Sequence, residues 1–324
     1  MRLLEVRDLR VSFKTPDGIV EAVRGVSFGV DRGRTLGIVG ESGSGKSVAT
    51  QTMLGLTRGA RVSGEAFFEG NDLLQMQPDQ LRKIRGRGIA MIFQNPMSSL
   101  HPFYRIGWQI EEMIRAHEPV TRQNARLRAI ELLGHVGIPR PERRVDDYPH
   151  QFSGGMLQRA MIAMALALNP RLIVADEPTT ALDVTVQAQI LRLLRRLERE
   201  FDTATIMITH DLGVIAEIAD EVMVMYGGIA MEYATRHDLF LRPSNPYTRG
   251  LLTSIPRADG AQSRLTPIPG QPPSLISLPP GCPFRPRCAG AIERCGVEPP
   301  PFINVARDGQ HRSACWLAEE GAPQ

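Results

Sequence analysis

Long hydrophobic runs are missing from this chain of 324 residues. The most apolar stretch, residues 161–168, is much shorter than the ~18 apolar residues that a membrane-spanning helix needs. The N-terminal residues alternate between charged and apolar types, so they lack the apolar core of a secretory signal. We therefore expect a cytoplasmic protein that reaches a membrane only by docking on other proteins.

An excess of charge of one sign is also missing. Lys and Arg total 38 and Asp and Glu total 35, so the formal net charge is +3. This balance gives no electrostatic argument for a nucleic-acid partner, whose signature is a concentrated basic patch. Hydrophobic residues make up 42% of the chain, which is enough for a buried core and argues against disorder.

Cysteine is scarce, and its four copies are confined to residues 282–315. In a reducing compartment such a cluster more often binds a metal than forms disulfides. The order Cys282-x₅-Cys288-x₆-Cys295-x₁₉-Cys315 lacks the paired C-x₂-C of a zinc ribbon. On spacing alone, an iron–sulfur cluster, a zinc site and free structural thiols all stay open.

Strand and helix patterns alternate along most of the chain. Apolar alternation on both sides of a Pro-Asp-Gly turn predicts strands at residues 5–13 and 19–30. This order implies a mostly parallel sheet that is covered on both faces. Further strands are predicted at residues 35–39, 172–175 and 205–208, and helices at 48–55, 153–168 and 184–200.

Proline changes the composition near residue 240, since 15 of the 25 prolines follow that point. Proline lacks the N–H donor that regular helices and central strands need. We therefore predict a separate, irregular C-terminal module.

Residues 40–47 follow an apolar strand, precede a helix and fit the pattern G-x-x-x-x-G-K-[ST]. Glycines at these positions let backbone N–H groups point at phosphate oxygens, and the helix N-terminus adds its positive end. Lys46 would reach the β- and γ-phosphates, and the Ser47 hydroxyl would bind Mg²⁺. The predicted nucleotide-binding residues of this phosphate loop are Gly40, Glu41, Ser42, Gly43, Ser44, Gly45, Lys46 and Ser47.

Two carboxylates, Asp176 and Glu177, end a predicted buried strand. Downstream of a phosphate loop, Asp176 would act on Mg²⁺, and Glu177 would activate or orient the water that attacks the γ-phosphate. The alternative is that the pair only caps a helix. Ser153, Gly154 and Gly155 open another predicted helix and would form a second anion-binding helix terminus.

Residues 152–156, Phe-Ser-Gly-Gly-Met, resemble the signature of ABC proteins and lie about 20 residues before the Asp-Glu strand. Over essentially its whole length the chain resembles the D-type ATP-binding subunit of bacterial dipeptide and oligopeptide ABC importers. The stretches that carry this resemblance are residues 94–100, 148–156, 181–189, 245–248 and 267–273.

The resemblance implies an α/β fold with a RecA-like phosphate-loop ABC domain, residues 1–238, that includes an antiparallel β subdomain. A helical subdomain at about residues 94–166 would contact a permease. Residues 239–324 would form the proline-rich extension of peptide transporters, in which the cysteines would hold a [4Fe–4S] cluster, with Zn²⁺ as the alternative. Because the cluster lies far in sequence from the phosphate loop, we expect it to have a structural or docking role.

The resemblance also implies roles for single residues. Gln94 matches the residue that senses Mg²⁺ and the γ-phosphate, and His210 matches the switch histidine that hydrogen-bonds the γ-phosphate. Asp183, in Ala181-Leu182-Asp183, would cross a dimer interface, while Ser153, Gly154 and Gly155 would close on ATP held by the opposing subunit. Phe13 is the candidate for stacking on adenine, although it could equally be hairpin core.

An ATPase of this kind implies several partners at the cytoplasmic face of the cell (inner) membrane. They are a second ATPase subunit, expected to be a related F-type chain, two transmembrane permease subunits and an extracytoplasmic solute-binding protein. The alternatives are the ATPase of a nickel or other small-solute importer and a soluble ABC ATPase of DNA repair or translation. A regulatory binder without hydrolysis is disfavoured because Glu177 and His210 are both present.

Overall fold

The computed structural model describes residues 2–180, 182–254, 267–306 and 309–320. Ala181, part of the predicted dimer-interface element, lies outside these ranges. The strands are β1 (Arg2–Thr15), β2 (Gly18–Asp31), β3 (Thr35–Val39), β4 (Ala60–Phe68), β5 (Asn71–Asp72), β6 (Ile89–Ile92), β7 (Leu172–Asp176), β8 (Ala204–Thr209), β9 (Glu221–Tyr226), β10 (Ile229–Thr235), β11 (Phe302–Asn304) and β12 (Arg312–Ala314).

The helices agree with the alternating pattern in the sequence. They are α1 (Lys46–Met53), α2 (Pro78–Ile84), α3 (Pro96–Ser99), α4 (Ile106–His117), α5 (Arg122–His135), α6 (Pro141–Arg144), α7 (Gly154–Leu166), α8 (Val184–Phe201), α9 (Leu212–Ile218), α10 (Arg236–Leu241), α11 (Pro246–Thr253) and α12 (Leu317–Glu320). No helix of the described ranges is long and apolar enough to cross a membrane.

The chain divides into two compact units. The first unit comprises residues 31–34 and 76–206, and the second comprises residues 2–30, 35–75 and 207–324. The chain passes from the first unit to the second within β8.

The first unit combines parallel strands with a group of helices. Strands β6 and β7 pair in parallel, with Ile89 opposite Leu172, and β7 lies between β6 and β8 in strand order. Helices α4, α5 and α7 pack on one another. The predicted amphipathic helix is α8, whose apolar face buries Ile190, Leu191, Leu193, Leu194 and Leu197.

An antiparallel sheet with strand order β2-β1-β4-β5 forms one part of the second unit. Apolar side chains of β1 alternate inward, with Leu4 and Val6 before, and Leu9 and Val11 after, a shift of register. The shift falls at Asp8, whose φ of +44° lies in the left-handed region. Such a bulge restores the inward direction of the second apolar pair.

The other sheet of this unit has the order β11-β12-β10-β9-β3. All five residues of β3 are buried, and β3 pairs in parallel with β9, as a buried apolar run predicts. The remaining pairs are antiparallel, so the C-terminal strand β12 extends the sheet at β10. The proline-rich residues 267–301 contain only turns and short 3₁₀ helices, as their composition predicts.

A buried polar network attaches β12 to β10. The amide of Asn245 donates to the carbonyl oxygens of Met231 (3.0 Å) and Ala314 (3.1 Å). His311 Nε2 lies 2.7 Å from Oε1 of Glu232, a residue with 0% exposure. The short strand β12 is therefore held to β10 by side-chain hydrogen bonds as well as by the backbone hydrogen bonds between the two strands.

Candidate active site

The phosphate loop connects β3 to α1 in the second unit, and its glycines are required by the backbone. Gly40 has φ +152°, and a Cβ there would lie 2.1 Å from the carbonyl oxygen of Met225. Gly45 has φ +95°, and its Cβ would lie 2.2 Å from the carbonyl oxygen of Ala22. Only glycine therefore fits these two positions, which set the curve of the loop.

Lys46 begins α1 and is folded into the loop with 5% exposure. Its Nζ donates to the carbonyl oxygens of Gly40 (2.8 Å) and Glu41 (2.9 Å) and lies 3.4 Å from Oγ of Ser44. Ser47 follows in the first turn of α1, where the unsatisfied amides of a helix N-terminus favour anions. A cavity of about 320 Å³ adjoins the loop and is lined by Glu41, Ser42, Gly43, Ser44 and residues of the proline-rich extension.

Two further predicted residues belong to the second unit. Phe13 lies on β1 opposite Ala60 and is half-buried, so its burial fits neither a fully enclosed core residue nor a free ring. His210 directly follows β8 and is exposed.

In the first unit, Asp176 and Glu177 stand at the end of β7, as predicted. Asp176 is 5% exposed. Glu177 has φ +47°, a left-handed conformation that costs a residue with a side chain ~1–3 kcal/mol and is typical of active sites. Glu177 Oε2 accepts hydrogen bonds from Gln94 Nε2 and from Thr180 Oγ1, each at 2.8 Å.

The contact between Gln94 and Glu177 joins two residues that the sequence singled out separately. Thr180 was missed, because a threonine three positions after a glutamate fits no motif that indicates a role. Its hydroxyl fixes the same carboxylate oxygen as Gln94, so it belongs to the surroundings of the candidate base.

The signature residues lie at the start of α7 in the first unit. Ser153 is the N-cap, and its Oγ accepts a hydrogen bond from the Met156 amide at 3.4 Å. Ser153 and Gly154 are exposed, and a Cβ on Gly154 would meet no atom within 4 Å. Asp183 caps α8 by accepting from the Val186 amide at 2.9 Å. Both helix starts are therefore ordered by their own caps, and the Gly154 surface is open to a ligand.

All four cysteines belong to the second unit. The Cys282 amide donates a hydrogen bond to the Cys295 carbonyl at 2.8 Å. Burial raises the pKa of Cys282 to about 11 and also raises the pKa values of Cys288 and Cys315. Hydrogen bonds from nearby backbone amides act in the opposite direction and lower the pKa of each of these thiols. Within the described ranges, however, no group of three or more His, Cys, Asp or Glu side chains is arranged to hold a metal ion. The structure therefore does not support the expected iron–sulfur centre.

The fold and the loop place this protein in the class of phosphate-loop nucleotide-binding α/β proteins. Residues 23–180 match the family model described as ABC transporter. Residues 231–295 match that of the oligopeptide/dipeptide transporter C-terminal region. The dimeric ATP-binding cassette solved in a post-hydrolysis state with ADP and Pi is similar in structure, with a TM-score of 0.65 and 28% identity, covering 72% of this chain and 98% of that one.

Two curated relatives are similar over the full length. The oligopeptide transport ATP-binding protein OppD of Haemophilus influenzae is 52% identical over 319 residues, which cover 98% of each chain. The dipeptide transport ATP-binding protein DppD of Bacillus subtilis is 49% identical, covering 99% of this chain and 96% of that protein. The chain thus belongs to the ABC transporter family, among the ATP-binding proteins of oligopeptide and dipeptide transport.

Proposed function

We propose that this chain binds ATP with Mg²⁺ and hydrolyses it to drive the import of dipeptides or oligopeptides. The observation that carries the ATPase proposal is the phosphate loop, in which the buried Lys46 ammonium donates to the carbonyl oxygens of Gly40 and Glu41 and lies beside the Ser44 hydroxyl. The substrate class comes from the relatives, which are named for oligopeptide and dipeptide transport.

In this proposal Lys46 exchanges its bonds to the loop carbonyls for bonds to the β- and γ-phosphates. Ser47, Asp176 and Gln94 are the residues that would hold Mg²⁺, which neutralises charge on the phosphates. Glu177 takes a proton from the attacking water or orients that water, and Gln94 and Thr180 fix the position of its carboxylate.

We propose two further roles for residues of the second unit. His210 would hydrogen-bond the γ-phosphate, and its exposure after β8 leaves the ring accessible. Phe13 would stack on adenine, for which a half-buried ring is suitable.

Ser153, Gly154 and Gly155 would bind ATP that is held by a second ATPase subunit, and Asp183 would cross the interface between the two. The support is the open Gly154 surface at a capped helix start, which is a ready anion site. We propose a related F-type chain as the second subunit. The structural relative solved as a dimer agrees with a paired ATPase.

The remaining partners are the subunits that an ABC importer needs in addition to its ATPases. Two transmembrane permease subunits and an extracytoplasmic solute-binding protein would complete the complex, with this chain peripheral at the cytoplasmic face of the cell membrane. A helical subdomain at about residues 94–166 would contact the permeases. The proposed division is an ABC domain at residues 1–238 and a transporter extension at residues 239–324.

The four cysteines remain candidates for a [4Fe–4S] cluster or Zn²⁺, on the strength of their donor set rather than their geometry. Four thiols in one small module are the donors that such a cluster requires. Anaerobically purified protein should then be brown, with ~4 iron and ~4 acid-labile sulfide per chain. Colourless anaerobic protein with one zinc per chain would exclude the cluster, and metal-free protein would exclude both.

Peptide uptake tests the transport function directly. The chain is expressed with its permease and binding-protein partners in an amino-acid auxotroph that has no peptide importer of its own. Growth on a dipeptide or tripeptide that contains the required amino acid is expected with the wild-type chain and not with Lys46→Ala. Growth on the free amino acid controls for viability.

The same strain separates the alternatives. Nickel accumulation without peptide-dependent growth would favour the related metal importer. A wild-type chain that hydrolyses ATP but does not co-purify with permease subunits in membranes would favour a soluble ABC ATPase.

A further inference from the structure

The cysteine module, residues 282–315, sends the guanidinium of Arg287 to the phosphate loop. Arg287 makes a two-pronged ion pair with Glu41, the second residue of the loop, with nitrogen–oxygen distances of 2.6 and 3.0 Å. The Arg287 side chain is 5% exposed and the Glu41 side chain 26%. The two residues are 246 positions apart in the sequence.

All five N–H groups of Arg287 have acceptors. Besides the two bonds to Glu41, its Nη1 donates to the Tyr226 hydroxyl at 3.2 Å. Its Nε donates to the Pro269 carbonyl at 2.8 Å, and its Nη2 to the Ile268 carbonyl at 3.3 Å. A fully satisfied, buried guanidinium has one geometry, so Arg287 fixes the carboxylate that it binds.

Glu41 is held at each of its polar groups. Its carboxylate binds Arg287, its amide donates to the Tyr247 hydroxyl at 2.9 Å, and its carbonyl accepts from Lys46. The Lys46 ammonium is the group that must move to a nucleotide's phosphates. The position of Glu41 therefore sets the resting position of Lys46.

The charge of Glu41 gives a second reason for the pairing. A carboxylate beside a phosphate-binding loop repels an approaching polyphosphate. The bidentate guanidinium of Arg287 neutralises that charge in place. Loss of Arg287 would thus weaken ATP binding both by freeing the loop and by exposing its negative charge.

The cysteines enclose the turn that carries Arg287. This turn is the 3₁₀ helix Arg285–Arg287, which begins three residues after Cys282 and ends directly before Cys288. Backbone bonds close it at both ends, from the Arg285 amide to the Cys282 carbonyl (3.1 Å) and from the Cys288 amide to the Arg285 carbonyl (3.2 Å). A change at either cysteine acts directly on the position of Arg287.

An aromatic contact also joins the cysteine turn to the surroundings of the phosphate loop. Phe284, in the same turn, packs against the ring of Tyr247 with a centroid distance of 5.1 Å and against Tyr226 at 5.4 Å. Tyr247 is fully buried and accepts the Glu41 amide proton. The cysteine turn therefore makes two contacts with the surroundings of Glu41. Arg287 binds its carboxylate, and Phe284 packs on Tyr247, which accepts a hydrogen bond from its backbone amide.

We propose that Arg287 is a positioning residue for the phosphate loop and that, through Glu41, it makes ATP affinity depend on the integrity of the cysteine turn. This rests on the proposed ATP-binding function. It does not require that the cysteines hold a metal, because the connection consists of protein groups alone.

The test is a double-mutant cycle read by titration with fluorescent ATP. Arg287→Gln should raise the Kd by about 5- to 150-fold, the usual range for coupling between two sites. It should raise KM for ATP more than it lowers kcat, because Arg287 contacts the loop and not the reacting atoms. Cys288→Ser should also raise the Kd, but it should add little in the Arg287→Gln background.

Arg294→Gln is the matched control. It removes the same charge from the same module, but its carboxylate partner at 2.6 Å is Glu298, within the module itself. Its Kd should stay close to that of the wild type. If Arg287→Gln does not fold, Tyr247→Phe removes only the oxygen that accepts the Glu41 amide proton and should raise the Kd in the same non-additive way with Cys288→Ser.

Two results would overturn the inference. The first is an Arg287→Gln protein whose Kd for ATP equals that of the wild type. The second is a double variant whose increase in Kd equals the product of the increases caused by Cys288→Ser and Arg287→Gln alone, as for two independent changes. A wild-type protein whose ATP binding is absent, or is unchanged by Lys46→Ala, would instead reject the proposed function.

Discussion

Replacement of Glu177 by glutamine should abolish ATP turnover while ATP binding and the fold remain. The substitution keeps the shape of the side chain and removes its charge. Gln94 Nε2 and Thr180 Oγ1, each 2.8 Å from Glu177 Oε2, can still donate to an amide oxygen at that position. The lost contribution is that of a general base, ~10²–10⁴-fold in rate, which corresponds to ~3–5 kcal/mol in the activation barrier.

Phosphate release by the assembled complex at saturating ATP gives kcat, and fluorescent-ATP titration gives the Kd. The Glu177→Gln protein should bind ATP with a Kd near that of the wild type and show almost no phosphate release. Thr180→Val is the matched control, because it removes one hydrogen bond to the same oxygen but keeps the charge, so its kcat should fall far less. Turnover of Glu177→Gln within about threefold of the wild type would refute the assignment of Glu177 as the base.

Three other outcomes are expected. Lys46→Ala should weaken ATP binding by about 10- to 100-fold, because it removes charge-assisted hydrogen bonds to phosphate, and a fluorescent-ATP titration measures this. His311→Ala should lower the free energy of unfolding by about 1–3 kcal/mol, since it removes one of the partners of the buried Glu232 carboxylate, which also accepts from the amides of Ser244 and Asn245. Thermal denaturation measures this loss, and His237→Ala, whose side chain is 72% exposed, is the control. The isolated chain should hydrolyse ATP slowly and gain activity on assembly, because the surface of Ser153 is proposed to serve a nucleotide on another subunit; full activity in a preparation that light scattering shows to be monomeric would contradict this.

Local patterns predicted the elements that carry the nucleotide motifs. The strand expected at residues 35–39 is β3 (Thr35–Val39), and the helix expected at residues 184–200 is α8 (Val184–Phe201). Both are set by their own residues, through a continuous apolar run in β3 and an apolar face at helical spacing in α8. The same holds for the phosphate loop, whose glycines meet steric limits that any residue with a side chain would violate.

Contacts between distant parts of the sequence could not be predicted in this way. The pairing of β12 with β10 involves strands too short to show a period, and it depends on the buried carboxylate of Glu232. The Arg287 to Glu41 ion pair spans 246 positions, and neither residue belongs to a pattern that names its partner. Glu41, Glu232, Arg287 and His311, which make these contacts, all belong to the same compact unit.

The conformation of Glu177 separates two adjacent carboxylates for which we propose different tasks. Successive side chains on a strand point to opposite faces, so a continued β7 would have directed Glu177 away from the side that Asp176 faces. The left-handed turn at Glu177, φ +47°, ends this alternation and brings its carboxylate to Gln94 and Thr180, while Asp176 stays buried at the strand end. This separation suits the two roles that we propose, Asp176 for a metal ion and Glu177 for water. The backbone strain at Glu177 is the structural cost of separating the two carboxylates.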